Sequence, residues 1–444
     1  MKKFYFPLLF ISFVSIFSIH YFVSGQAVYG DGIGYYAYLH SWYFDADNDF
    51  TNEYRHIYNH ENNNSQRPLS SPIVQIVGTN SQGKALNHFS PGTALLLLPF
   101  YALADGVVVV ANFFGASLAR TGYSDTYQML SGVGAILYVV AVAWLSEKLL
   151  LMLRFKQSVG RVAVLLLLLS TNLLYYGSFD VLNSHFASFF LATLFFFYFY
   201  KQKQRLSTKN YFVLGLIAGL LSITRPQDAV ISVVVLVAVA VLFKKNKSHW
   251  QQILKNLFVF FGIQFLMFLP LVLQWITTFD TFDSHPYFLW MTAQQSQSSM
   301  RDLAGTLFHF TNGLFTRTPI LFVSAALFVR LAYKKKLDYF LKVLFIFFCF
   351  QYAIIVLQGG WKAAAYGGRM FISSLPLFLI LLAKILEWIE GRYSKIILWI
   401  FVGVFVSINV LSISSFVLFE KEASGNKFGT ELYTGQRIMK LLDR

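Results

Sequence analysis

The chain is 444 residues long, 56% hydrophobic and only 13% charged, with a mean hydropathy of +0.55, which excludes a soluble globular domain of this size. The formal net charge of +15 does not point to nucleic acid, because no soluble basic domain exists to carry that role; the cations instead mark loops on one side of a membrane. The expected fold class is all-α, a polytopic helical bundle in lipid whose spans of about 20 apolar residues recur to the end of the chain, roughly eleven to thirteen in number.

Met1-Lys2-Lys3 precedes an apolar run from Phe4 to Val23 that is too long and too aromatic for a cleaved signal peptide, so it is expected to stay as the first span. An external loop over residues 25–89 follows. It opens on Gly30-Asp31-Gly32-Ile33-Gly34-Tyr35-Tyr36, with Asp45, Asp47, Asp49 and Glu53 close behind. Asp31, Tyr35, Tyr38 and Trp42 fall at i, i+4, i+7 and i+11, one face of a juxtamembrane helix whose rings suit the headgroup level. Asp31 could serve there as a general base, and the flanking glycines would let a substrate approach the backbone; the plainer alternative is a Gly-Asp-Gly turn ending the span.

Asp45, Asp47 and Asp49 alternate as in a calcium loop. An EF-hand starting at Asp45 would want glycine and glutamate where Phe50 and His56 stand. A divalent ion bridging a donor phosphate stays open for these acids, the alternative being a solvated loop edge or a helix cap; no other cofactor is expected. The loop's asparagine-rich middle, Asn59 to Gln66, with Pro68 and Pro72, reads as irregular chain.

The segment from Pro91 to Ser124 has both ends outside and must cross an even number of times, which predicts a helical hairpin or re-entrant pair turning near Asp105-Gly106. Further spans are expected at 128–146, 160–179, 186–200, 211–224, 229–243, 257–276, 319–333, 337–357, 371–388 and 396–419. Gly215-x-x-x-Gly219 reads as a helix-packing contact. A second long external loop covers 279–318. Residues 1–419 thus form one transmembrane domain, followed by a polar tail, 420–444, whose five cations favour the cytoplasm while the alternation of spans puts it outside. Nineteen lysines and arginines fall in one set of loops and five in the other, so the poorer set is external.

Against that bias, Arg225 in Thr224-Arg225-Pro226, Arg317, Lys362 beside Trp361, and Arg369 after Gly367-Gly368 sit at outward span ends. A lipid phosphate fits such cations; headgroup anchoring accounts for any one of them alone. His88, His185 and His309 lie at outer span ends without the spacing of a zinc site. The single cysteine, Cys349, rules out a disulfide within the chain, and no nucleotide loop or serine elbow appears.

Together these motifs resemble the glycosyltransferase C superfamily, integral membrane enzymes that take sugars from polyprenyl-phosphate carriers and carry an acidic residue just after the first span. The resemblance runs through Gly30 to Tyr36, Phe44 to Asp47, Asn52 to Tyr54, Asn87 to Pro99, Asn183 to His185, Thr224 to Gln227, Asn312 to Phe315 and Trp361 to Arg369. Two departures stand out. Asp31-Gly32 replaces the family's frequent Asp-Glu pair, so a second acid would come from Asp45, Asp47 or Glu53, and His88-Phe89-Ser90-Pro91 replaces the His-Pro-Pro of protein mannosyltransferases.

The resemblance implies sugar transfer at the outer face of a bacterial cytoplasmic membrane, from a polyprenyl-phosphate sugar to a lipid-linked or cell-envelope glycan, with Asp31 catalytic. Tyr35, Asp45, Asp47, His88, His185, Arg225, Arg317, Trp361, Lys362 and Arg369 are then the candidate substrate-binding residues. A flippase for lipid-linked sugars is the rival, although charged residues within spans and repeated halves, its usual marks, are not evident. An envelope glycan polymerase or ligase is the third reading.

Overall fold

A computed structural model describes residues 5–28, 30–58, 80–202, 207–245, 250–279, 300–310, 312–359 and 366–417. Among them there are helices and no β-strand. In chain order the helices are α1 (Tyr5–Ser24), α2 (Gly32–His40), α3 (Thr51–Tyr58), α4 (Gly92–Phe113), α5 (Asp125–Met152), α6 (Gln157–Leu169), α7 (Leu173–Ser178), α8 (Ser184–Gln202), α9 (Thr208–Thr224), α10 (Ser232–Lys245) and α11 (Trp250–Thr278). There follow α12 (Met300–Phe308), α13 (Leu314–Arg317), α14 (Pro319–Tyr333), α15 (Tyr339–Gln358), α16 (Leu375–Arg392) and α17 (Lys395–Ser415). A π turn over Ser41–Asp45 extends α2, and 3₁₀ turns over Pro226–Ile231 and Arg369–Ser374 lead into α10 and α16. Eight helices, counted with these turns, are long and apolar enough to cross a bilayer, and α6, α9 and α14 are shorter apolar ones. This is a multi-pass membrane protein.

The two ends of the bundle differ in chemistry. At one, the Tyr5 hydroxyl donates to the Arg161 carbonyl, Arg161 pairs with Glu147 at 3.1 Å, and Lys156 approaches Glu390 at 3.6 Å. At the other, Tyr21 donates to Asp125 and the Gln128 side-chain oxygen accepts from the Ala27 amide. The 28 residues of α5 rise about 42 Å, more than the roughly 30 Å of hydrocarbon, so its polar ends reach both surfaces. Glycines set close helix contacts: the space a Cβ would need at Gly215 holds the Phe260 carbonyl, and at Gly219 it holds Met267.

The apolar stretch 160–179 is not one helix. It breaks between α6 and α7, where Ser170 and Thr171 turn their hydroxyls back onto the Leu166 and Leu167 carbonyls. The Asn409 amide then donates to the freed carbonyls of Leu169 and Thr171, both at 2.9 Å. Such partners are required wherever a helix is interrupted inside lipid.

Three expectations need correction. The segment 91–124 holds no hairpin: α4 runs unbroken through Asp105-Gly106. Asp105 survives mid-helix because Arg120 clamps it with two 2.8 Å bonds while Tyr43 and Tyr127 donate to it. Both flanks of α4 are held by α2: Tyr38 donates to the Phe89 carbonyl and Tyr36 to that of Gly122. Second, α2 is no surface helix at the headgroups. Tyr35, Tyr36, Tyr38 and Leu39 are all buried, because α4 and the 87–89 segment cover it. Third, charged residues do lie within apolar helices, as Asp105, Glu147 and Asp228 show.

Thr224 backbone atoms fill the place of a Cβ at Gly92, whereas nothing lies near one at Gly106. Gly92→Ala is expected to cost about 1–3 kcal/mol. Gly106→Ala is expected to be neutral or to stabilise by up to about 1 kcal/mol. Thermal unfolding in detergent compares the two.

Candidate functional site

Asp31 stands at the N-cap of α2, yet its carboxylate makes no capping bond. It turns to a residue 338 positions later: Arg369 Nη1 donates to Asp31 Oδ2 at 2.8 Å. The two side chains keep 17% and 14% of their exposure, so the pair is nearly enclosed but reachable. Of the three glycines around Asp31, Gly30 has open space beside it, but the other two do not leave room for a substrate as expected. A Cβ at Gly34 would strike the Phe89 ring, and one at Gly32 would meet the Leu182 carbonyl at 3.3 Å, so the chain itself fills that space.

Arg225 joins the same cluster from α9. Proline at 226 holds the preceding residue extended, at φ −147° and ψ 105°, which ends the helix and turns the side chain into the bundle. Arg225 is 6% exposed, with Nη2 2.8 Å from Met370 Sδ, next to Arg369, and Nη1 3.4 Å from His185 Nδ1. A guanidinium only donates, so Nδ1 accepts and His185 carries its proton on Nε2. That buried Nε2 has no hydrogen-bond partner among the described residues. Tyr176 packs on the His185 ring at 4.2 Å, and Tyr35 donates to Ser184 at 3.0 Å.

His88 is buried against Phe89. Burial pushes its pKa down to about 4, against the nearby Asp31 charge, which raises it, so the ring is neutral at pH 7. Arg317 reaches elsewhere: it donates to Ser412 at 3.3 Å and lies over the Phe310 ring at 5.2 Å. Trp361 and Lys362 lie outside the described residues.

Asp228 escaped the sequence reading. It is fully buried, and its carboxylate accepts from Ser188 at 2.6 Å, Gln351 at 2.7 Å and Ser373 at 2.8 Å, three donors on three elements. The Arg225 charge acts on it. Its only sequence signal was an acid two residues past Arg-Pro at the head of an apolar run.

Asp45, Asp47 and Asp49 do not converge on one cation. Asp47 accepts from Ser41 and from the Asp49 amide, and Asp49 pairs with Lys84 at 3.4 Å, so both serve the loop. Asp45 instead joins His40 and Glu53. Its Oδ2 is 3.2 Å from His40 Nδ1, and Glu53 Oε1 is 3.0 Å from the same nitrogen. The π turn explains this: its i to i+5 register brings Asp45 back over His40, where a continuing α-helix would carry it to another face. No spacing rule shows a π turn in a sequence.

These three ligand atoms lie within 4.8 Å of one another. One nitrogen cannot donate a single proton well to two carboxylates, and Glu53 is fully buried with Oε2 lacking a partner among the described residues. Burial pushes the Glu53 pKa up to about 7, while its bond from His40 works in the other direction. A donor set of one imidazole and two carboxylates suits a divalent transition ion. It stands at the far end of α2 from Asp31, about 13 Å along the axis.

No protein-family model, curated protein or solved structure matches the chain.

Two outcomes follow for these side chains. Zn²⁺ or Mn²⁺ is expected to raise the unfolding temperature of the wild type and not that of Glu53→Gln; equal response of both proteins refutes this metal set. For His88, the folded pKa near 4 lies below the ordinary 6.5, so the unfolded chain binds the extra proton. Its contribution is whole above about pH 6.5 and is lost as pH falls through about 4. His88→Gln is expected to flatten that part of the stability profile, measured by unfolding across pH 4 to 7.

Proposed function

We propose that the chain is a membrane glycosyltransferase that moves a sugar from a polyprenyl-phosphate donor to a lipid-linked or cell-envelope glycan on the outer face of a bacterial cytoplasmic membrane. The reading keeps a glycosyltransferase C architecture with eleven to thirteen spans. The observation that carries it is the junction of Asp31 with Arg369 and, through Met370, with Arg225. An acid and two guanidinium groups, far apart in sequence, meet in one partly enclosed place, as transfer from a lipid phosphate requires.

The chemistry is a single displacement. The acceptor hydroxyl oxygen bonds to the anomeric carbon, the bond from that carbon to the phosphate oxygen breaks, and its electron pair leaves on the phosphate. The hydroxyl proton passes to Asp31, and configuration inverts. Arg369 has two tasks in this scheme. It holds Asp31 while the site is empty of donor, and the donor phosphate, held also by Arg225, draws it away and frees the carboxylate for the acceptor. His185 Nε2–H supplies a further neutral donor for phosphate oxygen.

A flippase for a lipid-linked sugar is the second reading, and Asp228 buried inside an apolar helix favours it, since intramembrane acids commonly mark transport paths. The two readings part on a labelled polyprenyl-phosphate sugar in reconstituted vesicles: transfer of label to an acceptor supports the enzyme, and movement of intact donor supports the flippase.

Asp31→Asn keeps the size and removes the base, and is expected to lower transfer by about 100-fold or more. Arg225→Gln is expected to weaken donor binding by about 10- to 100-fold, the scale of a hydrogen bond to a charged group. Single-turnover assays at saturating and limiting donor separate the two effects; full transfer by Asp31→Asn refutes the assignment.

A further inference from the structure

At the opposite end of the bundle from Asp31, α14, α16 and α17 enclose a cavity of about 670 Å³. α16 contributes Lys384, Ile385, Trp388 and Ile389 to its lining, and the rest comes from α14 and the turn after it, Tyr393 and α17. The lining divides sharply by chemistry. Most of it is hydrocarbon, with Leu327 from α14 and Phe401 from α17 among the lining residues. Against it stand four cations, Arg330, Lys334, Lys336 and Lys384, and no acidic side chain lines the cavity.

The nearest acid in sequence, Glu387, is exposed on α16 and does not line the cavity, and the next two are engaged elsewhere. Glu390 faces Lys156 at 3.6 Å, and Asp338 accepts from the Leu341 amide to cap α15. Lys384 is steadied over the Phe155 ring at 5.8 Å, so at least one of the four cations is held in place. Trp388 and Tyr393, with ring centroids 5.5 Å apart, also line the cavity, as amphipathic rings do where hydrocarbon meets headgroups.

Helices with no more than a headgroup to anchor would spread their cations around the rim. Here four converge on one apolar cleft, and their mutual repulsion calls for an anion whose remaining surface is hydrocarbon. We infer that this cleft is a binding site for an anionic phospholipid, its phosphate between Arg330, Lys334, Lys336 and Lys384 and an acyl chain between α14 and α17. Basic pockets between membrane helices commonly take such headgroups. The inference is independent of the reaction at the other end.

The test uses the full-length protein in neutral detergent, titrated with dioleoylphosphatidylglycerol, dioleoylphosphatidylcholine and a polyprenyl phosphate, with bound lipid counted by native mass spectrometry. Phosphatidylglycerol is expected to bind at least about tenfold tighter than phosphatidylcholine. Each cation is expected to contribute roughly fivefold, so the combined Arg330→Gln, Lys334→Gln and Lys336→Gln variant should lose on the order of 100-fold. Leu327→Trp fills the cleft and keeps every charge; it too should lose phosphatidylglycerol, which a merely basic surface would not. Equal affinity for the two phospholipids, or wild-type binding by monodisperse Leu327→Trp, overturns the site. Preference for polyprenyl phosphate over phosphatidylglycerol overturns the occupant. If the triple variant fails to fold, the Leu327→Trp comparison alone decides.

Discussion

The ion pair between Asp31 and Arg369 is the constraint on which one end of the bundle depends. It ties the start of α2 to the turn before α16, 338 residues apart. Two charges taken largely out of water lose several kcal/mol of hydration each, and their attraction repays this only when geometry and neighbours are favourable. Removing one partner would strand the other, at about 3–5 kcal/mol. A protein needing only a link between two helices could make it more simply from apolar side chains. Charge retained there fits a place where an anion comes and goes.

The surrounding architecture supports such a place by interrupting its helices. Arg225 lies between α9 and a 3₁₀ turn, Arg369 opens another, and α6 gives way to α7 at Ser170–Asn172. Each break frees backbone and side-chain groups from the regular ladder. Irregular backbone at membrane depth is tolerated only where protein or water satisfies it. Asn409 does so for the α6 break, and Tyr176 does so for Tyr366, accepting from its amide and donating to its carbonyl, both at 3.1 Å.

The two ends of the bundle therefore differ in design. At the end that holds Asp31, Arg225 and Arg369 are largely enclosed and engaged by acid, imidazole or thioether. At the other they are many, exposed and gathered at a greasy cleft. Between them Asp228, with three hydrogen-bond donors, forms a polar node packed by α8, α15 and the 3₁₀ turn before α16.

Composition and period alone determined that the chain is helical and membrane-embedded, because runs of apolar residues long enough to span lipid have no other stable form. Local rules also carried Asp31 at a helix start, Arg225 held extended before proline, and the close contacts of Gly215 and Gly219. Tertiary structure decided the rest. Whether Gly34 welcomes a ligand or Phe89, whether Asp105 marks a turn or an Arg120 clamp, and which of three aspartates meets His40 all depend on partners distant in sequence or on a single extra residue in one turn. Periodicity reports which face of a helix is apolar, but it carries no information about what comes to lie against that face.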